Sequence, residues 1–572
     1  MFRSTAVKWL ALSAIAMILL YPRCHGQYSS SDRRVLEIIR EKGQAEIIIS
    51  HPGARAFDHL TRNVSVSRVR ENRVHVILSP LTAEWFIKGG YDYSIVETDE
   101  IKGIRTARSI EEVMAWESYP TLPQYDSIML YYSENYPSLC RLDTIGTTIN
   151  GKIVYVLKIS DNPGTDEDEP KVFCTSTIHG NETGGFILML RLAGYLLSNY
   201  ASDGRVRNLV DNLEIWINPL ANPDGTYNTG NTITSPIRFN AAGYDLNRNF
   251  PDPASANTPR QKETLDMMAF LAKHRFVLSA NLHSGAEVVN YPWDRWQRLH
   301  ADNSWFYTIS REYADSVHNY SPAGYMTDLS NGITNGYAWY QIYGGRQDYV
   351  TYALNGREVT LELDENYITP ADKLADLWEY NRVSLLGYIE NALYGIHGIV
   401  TDRRTGEPVP AKVFIAGHDR DNSHVYADTL TGRFIRLTAP GSWDLTFTAE
   451  GYIDTVIYNV MAEPRRKSFL EVGMTHIRNP VDTTSPAAPL LYPNPAAFYV
   501  YAVVPEKLRG YINIRLYNTA GTILSDYNSM AYEGSPVILD VRAFPAGVYT
   551  VVFKQRATGI SSYGRFVVAR RF

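Results

Sequence analysis

Residues 175–185 read TSTIHGNETGG. A run of strand-forming residues, KVFCTST, stops at His179, and Glu182 follows three positions later. Glycines then open the apolar stretch FILMLRLAGYLL. The pattern is a strand handing over to a helix, with an imidazole and a carboxylate at the junction. In an open α/β sheet, ligands bind beyond the carboxyl ends of the strands. Alone, the pair reads equally well as a loop histidine and a solvated glutamate, and a metal would need a third ligand from elsewhere.

Working outward, strand and helix patterns alternate from 119 to 392: IVYVLKIS, KVFCTST, LEIWINP, FVLSANLH and REVTLEL are strand-like. The fold class is therefore α/β, a sheet covered by helices. Two more strand ends supply polar residues. FVLSANLHSG places His283 at the end of one apolar strand. VTLELDEN places Glu362 inside another, with Thr360 and Asp364 on its face and Val359, Leu361 and Leu363 opposite. A carboxylate in a buried strand is costly unless it has a partner or a task.

The 572 residues exceed what one core supports, and roughly three to five domains are expected. A formal charge of −6 gives no electrostatic case for nucleic acid or an anionic membrane surface. Residues 1–26 read as a secretory signal peptide: Arg3 and Lys8 precede a short apolar run and a small residue, Gly26. Its removal takes Cys24 and leaves Cys140 and Cys174, which could pair or stay free. No later segment is long and apolar enough to span a membrane. The mature chain is expected to be exported through the periplasm and secreted or held at the cell surface.

The remaining segments sort by texture. Residues 27–104 alternate helix and strand patterns, a small α+β unit, and 105–118 form a linker with Arg105 and Arg108. After Tyr394, Gly- and Pro-punctuated short strands over 393–474 suggest an all-β sandwich. A Pro/Ser/Thr-rich linker covers 475–490, and short strands return over 491–572.

TIHGNETGG, NPDG, YDLNRNFPD, NLHSGAEVVNYPWD, GGRQDY and VTLELDEN occur in that order. In order and spacing the chain resembles zinc metallocarboxypeptidases of the carboxypeptidase A superfamily, in the N/E regulatory branch. The resemblance extends over 119–474, since the β-rich part after Tyr394 resembles that branch's transthyretin-like domain. It implies a mixed-sheet catalytic domain with one zinc ion held by His179, Glu182 and His283. Two imidazoles and a carboxylate leave the fourth position that a catalytic zinc needs for water. It further implies Glu362 as general base and Arg238 as the arginine that stabilises the oxyanion.

Asn247 and Arg248 match the family's clamp on a terminal carboxylate, and Tyr340 its substrate-capping tyrosine. Asp294 and Gln347 fall where N/E-type enzymes form the base of the side-chain pocket, which implies C-terminal Lys or Arg as the residue released. Arg295 and Arg346 are neighbours that could pair with Asp294 instead. A cell-wall stem-peptide carboxypeptidase and a catalytically silent peptide-binding relative are the alternatives. The last segment, from LYPNPA to ARRF, resembles the C-terminal sorting domain of type IX secretion cargo, which implies the secretion machinery as a partner. The N-terminal unit could be an inhibitory prosegment or a folding aid.

Overall fold

The computed structural model describes residues 28–97, 103–255, 259–477, 487–533 and 535–570. The expected signal peptide and most of the 475–490 linker lie outside them.

Apolar strands flanked by amphipathic or apolar helices build the central layer. Eight strands form one mixed sheet: β5 (Cys140–Thr147), β6 (Ile153–Ile159), β7 (Lys171–Ser176), β8 (Glu214–Asn218), β9 (Leu278–His283), β10 (Ala286–Tyr291), β11 (Ile333–Asn335) and β12 (Arg357–Asp364), in the order β11-β10-β12-β9-β7-β8-β6-β5. Its middle, β8-β7-β9-β12, is parallel, and antiparallel strands flank it. Parallel strands are covered on both faces, and every residue of β8 and β9 is buried, the polar ones included. Helix α5 (Gly184–Asn199) buries eleven of its residues against the sheet. Helices α4 (Leu122–Asn135), α7 (Asn303–His318) and α9 (Leu374–Glu390) join it in one apolar core. Helix α6 (Lys262–His274) contributes Met267, Phe270 and Leu271 to a second cluster, around Phe173 and Trp216. Cys140 and Cys174 are buried and free.

The N-terminal unit is a four-stranded antiparallel sheet, β2-β3-β1-β4, from β1 (Ala45–Ser50), β2 (Ser65–Arg70), β3 (Arg73–Leu78) and β4 (Tyr93–Ile95). Helices α1 (Ser30–Lys42), α2 (Ala54–Thr61) and α3 (Ala83–Lys88) accompany it. Its core takes in Tyr340 and Ile342 of the central unit.

Beyond β12 and α9 the chain is all-β. Two four-stranded sheets lie between residues 395 and 476, and sheets of three and four strands between 490 and 568. The first of these is tied to the central unit through Asp302. Arg436 Nη1 and Arg357 Nη2 donate to its Oδ2 at 2.8 and 2.7 Å, and Arg436 Nη2 donates to its Oδ1 at 2.9 Å. Two guanidiniums account for this buried carboxylate. Among the described residues no helix is long and apolar enough to cross a membrane.

Candidate active site

Three adjacent parallel strands bring the chemistry together. His179 follows the end of β7, His283 is the last residue of β9, and Glu362 lies near the end of β12, in register with His283. The turn after β7 departs from ordinary backbone. Thr177 has φ +61°, a conformation that β-branched residues avoid, and its hydroxyl donates to the Glu182 carbonyl at 3.0 Å. Gly180 lets the main chain of Gly225 approach: a Cβ there would stand 2.3 Å from the Gly225 carbonyl carbon.

The ligand atoms face one point. Nδ1 of His179 lies 2.9 Å from Glu182 Oε1, and Nδ1 of His283 lies 2.7 Å from Glu182 Oε2. The two Nδ1 atoms are 3.1 Å apart, and all three side chains are 2–3% exposed. Burial opposes the charge of Glu182, yet the imidazoles hold its carboxyl below the usual range. Burial pushes His283 down to about 4, so its ring is neutral, the form that binds a metal.

The outer nitrogens complete the test of fit. His179 Nε2 lies 3.0 Å from Asp245 Oδ1, the carboxylate partner that fixes a ligating imidazole. The amide nitrogen of Asn281 lies 2.8 Å from His283 Nε2, while its buried carbonyl oxygen has no partner. Turned by half a revolution, that amide accepts the ring N–H, as a histidine giving Nδ1 to a metal requires. The residues fit a zinc ion.

Glu362 is half-buried, and among the described residues its carboxyl accepts no hydrogen bond. Burial and the charge of Glu182 raise its carboxyl well above the usual range, and a divalent cation beside it would act in the opposite sense. Arg238, 3% exposed, donates from Nη1 to Glu182 Oε1 at 2.8 Å and from Nε to Asp245 Oδ2 at 3.1 Å. Asn247 accepts the Arg346 main-chain N–H at 2.9 Å. Arg248 donates from Nη1 to the Asn247 carbonyl at 3.0 Å.

Asp294 is the buried end of the pocket. Asn290 Nδ2 and Gln347 Nε2 both donate to its Oδ1, at 3.0 and 3.1 Å. Gly336 makes room for it, since a Cβ there would fall 1.8 Å from the same oxygen. Neither neighbouring arginine pairs with it. Arg295 Nε donates to Asp252 at 3.3 Å, and Arg346 forms a two-pronged pair with Glu358 at 3.0 and 2.9 Å.

Residues 125–384 match the zinc carboxypeptidase family, and residues 490–568 match the secretion system C-terminal sorting domain. The carboxypeptidase SOL1 of Arabidopsis thaliana is 35% identical over 347 residues, 58% of this chain and 68% of that protein. The rat carboxypeptidase N catalytic chain is 32% identical over 375 residues, 58% of this chain and 80% of that protein.

The chain belongs to the zinc carboxypeptidase family.

Human carboxypeptidase D is 33% identical over 386 residues, 64% of this chain, yet the match spans only 27% of that protein's length. As a zinc carboxypeptidase, the chain has a further feature that its sequence does not announce. Strand β2 of the N-terminal unit lies across the site. Arg248 Nη2 donates to the Val66 carbonyl at 2.9 Å, and Arg238 Nε donates to Ser65 Oγ at 2.7 Å. Ser65 Oγ in turn donates to Asp245 Oδ2 at 2.5 Å. The cavity left beside His179, Glu362 and Asp294 is about 20 Å³, room for about one water molecule. Tyr340, 8% exposed, is held in the core of the N-terminal unit. Ser65, Val66, Asp245, Asn290 and Asp348 also line the site; the last three lie inside the quoted motifs but carry no role there, and Ser65 and Val66 lie in none.

Proposed function

We propose that this protein is an exported zinc carboxypeptidase that releases a C-terminal Lys or Arg by attack of water, with Glu362 as general base. The observation that carries the reading is the meeting of His179, Glu182 and His283 beside Glu362, with the cation-free carboxyl of Asp294 at the end of the same cleft. Bound among the three ligands, a zinc ion would lower the pKa of a water molecule and polarise the scissile carbonyl.

The chain's own residues do the rest. Glu362 accepts the proton of the attacking water and returns it to the amine of the departing residue. Arg238 stabilises charge developing on the carbonyl oxygen. The planar guanidinium of Arg248, with Asn247, holds the terminal carboxylate and so restricts attack to the last peptide bond. Tyr340 closes over the bound residue. Asp294, oriented by Asn290 and Gln347, takes an ammonium or guanidinium, because a buried carboxyl without a counter-ion gains most from a cation.

The N-terminal unit acts as a cover. The Val66 carbonyl occupies the hand of Arg248 that would hold a terminal carboxylate, and Ser65 occupies Arg238. A peptide end reaches these groups only after residues 65–67 leave. The C-terminal match supports export by the type IX machinery and a secreted or surface location.

The test is a peptide panel differing only in the final residue, run on wild type and Glu362→Gln, each cut between the N-terminal and central units to release the cover, with and without a zinc chelator. Wild type is expected to release Lys and Arg alone and to stop when chelated. Glu362→Gln is expected to retain zinc and lose on the order of 10³-fold in kcat. Turnover that persists in metal-free protein overturns the reading. Full zinc occupancy with no turnover of any peptide end by the uncovered protein would return the chain to a binding role.

A further inference from the structure

The first turn of helix α8 (Arg346–Ala353) bonds to two of the recognition groups, Asn247 and Asp294. The Arg346 N–H binds the Asn247 side chain, and the Gln347 amide binds Asp294. The third residue, Asp348, takes two main-chain donors: Asp294 N–H on Oδ1 at 3.1 Å and Arg295 N–H on Oδ2 at 2.8 Å. Asp348 is 2% exposed and makes no ion pair. The two nearby guanidiniums are committed to Asp252 and Glu358.

A neutral side chain could accept main-chain N–H bonds without the cost of burying an acid. A second carboxyl kept directly behind Asp294 therefore points to a use for its charge. We propose that Asp348 is a positioning residue for substrate selection, which aims Asp294 through the main chain of residues 294–295 and makes the pocket a carboxyl pair that a cationic side chain relieves. The proposal rests on the Lys/Arg reading of the pocket given above.

Burial raises both carboxyls, and the charge of Asp294 raises Asp348 further. The other charged groups facing them are Arg248 and Glu358 on Asp294, and Asp252 on Asp348. Arg248 favours ionised Asp294, while the Glu358 and Asp252 carboxylates oppose ionisation of the pair. Their contributions are common to wild type and an Asp348 variant, so a difference between the two reports Asp348.

The test compares wild type with Asp348→Asn on peptides ending in Lys, Arg or Leu, all carried as full chains through the same proteolytic uncovering. Zinc content and the unfolding midpoint are recorded for each. Asp348→Asn is expected to raise KM for Lys and Arg ends on the order of tenfold, with kcat held within about threefold. Preference over the Leu end falls by the same factor as KM rises. Should Asp348→Asn fail to fold, Asp348→Ser, which keeps one acceptor, is measured instead. Equal KM increases for Lys and Leu ends would leave Asp348 a plain structural acceptor and overturn the inference. A wild type without preference for Lys or Arg overturns the pocket reading and this inference together.

Discussion

Asp294 shows how a single side chain reads charge in this cleft. Burial pushes its carboxyl up to about 6, with Glu358 adding to the rise and Asn290 and Arg248 opposing it. The sign of the consequence follows directly. Above about pH 6 the carboxylate is ionised and attracts a cationic side chain; below it the group is protonated and the attraction is gone. KM for Lys- and Arg-ending peptides is therefore expected to rise as pH falls through about 6, while a Leu-ending peptide shows no such limb from this group. Initial rates across pH for the two substrate classes check this, and identical KM profiles would remove Asp294 from substrate selection. At this scale the sequence was informative where a residue's type was unusual for its element. His179, His283 and Glu362 stood at strand ends, where a polar group needs a reason. Asp245, Asn290 and Asp348 gave no such signal, because a polar residue in a loop, a strand or a helix's first turn is ordinary. The roles of Asp348 and Asp245 depend on Asp294 and His179, 54 and 66 positions away.

Among the elements, α8 and β12 are joined more firmly than apolar packing alone would join them. Arg346 and Glu358 are both fully buried, with two hydrogen bonds between them and a third from Ser279 to Glu358 at 2.7 Å. Breaking a buried pair strands a charge and costs about 3–5 kcal/mol, while replacing both partners by apolar side chains is near neutral. Glu358→Gln is therefore expected to lower the stability of the central unit by that amount. A double Arg346→Met, Glu358→Leu variant should recover most of it. Denaturant unfolding of the four corners of this cycle checks the prediction, and a single variant as stable as wild type would refute it. The pair also anchors the turn that carries Gln347 and Asp348 to the strand that carries Glu362. The sequence displayed the parallel strands well, because short stretches rich in β-branched, aromatic and other apolar residues alternate with helix patterns. It displayed β2 poorly: SVSRVR alternates like any edge strand, and nothing local says that its carbonyls and hydroxyls meet Arg248 and Asp245, some 180 residues on.

Across the whole molecule, the N-terminal unit and the central unit share an apolar core and a polar seam over the site. Tyr340 and Ile342 fill the first, and Ser65, Val66 and Arg70 form the second, Arg70 pairing with Asp328 and Glu365 at 3.0 and 2.7 Å. While the units belong to one chain, the cover is present at an effective concentration in the millimolar range, so a moderate interface is enough to keep it closed. Cutting the connection removes that advantage, and closure then depends on protein concentration. Arg105 and Arg108 offer exposed sites between the two units, although the main chain at Arg105 and Ala107 is bonded to Tyr119 and must open for a protease. Treatment with a trypsin-like protease is thus expected to raise hydrolysis of Lys-ending peptides, and dilution of the cut protein to raise its specific activity further as the cover dissociates. The apolar contact predicts a second sign: loss of the cover frees Tyr340 for substrate, so the gain should lie in both kcat and KM rather than in KM alone. Equal specific activity before and after complete cutting, at every dilution, would show that residues 65–67 do not obstruct the cleft in solution.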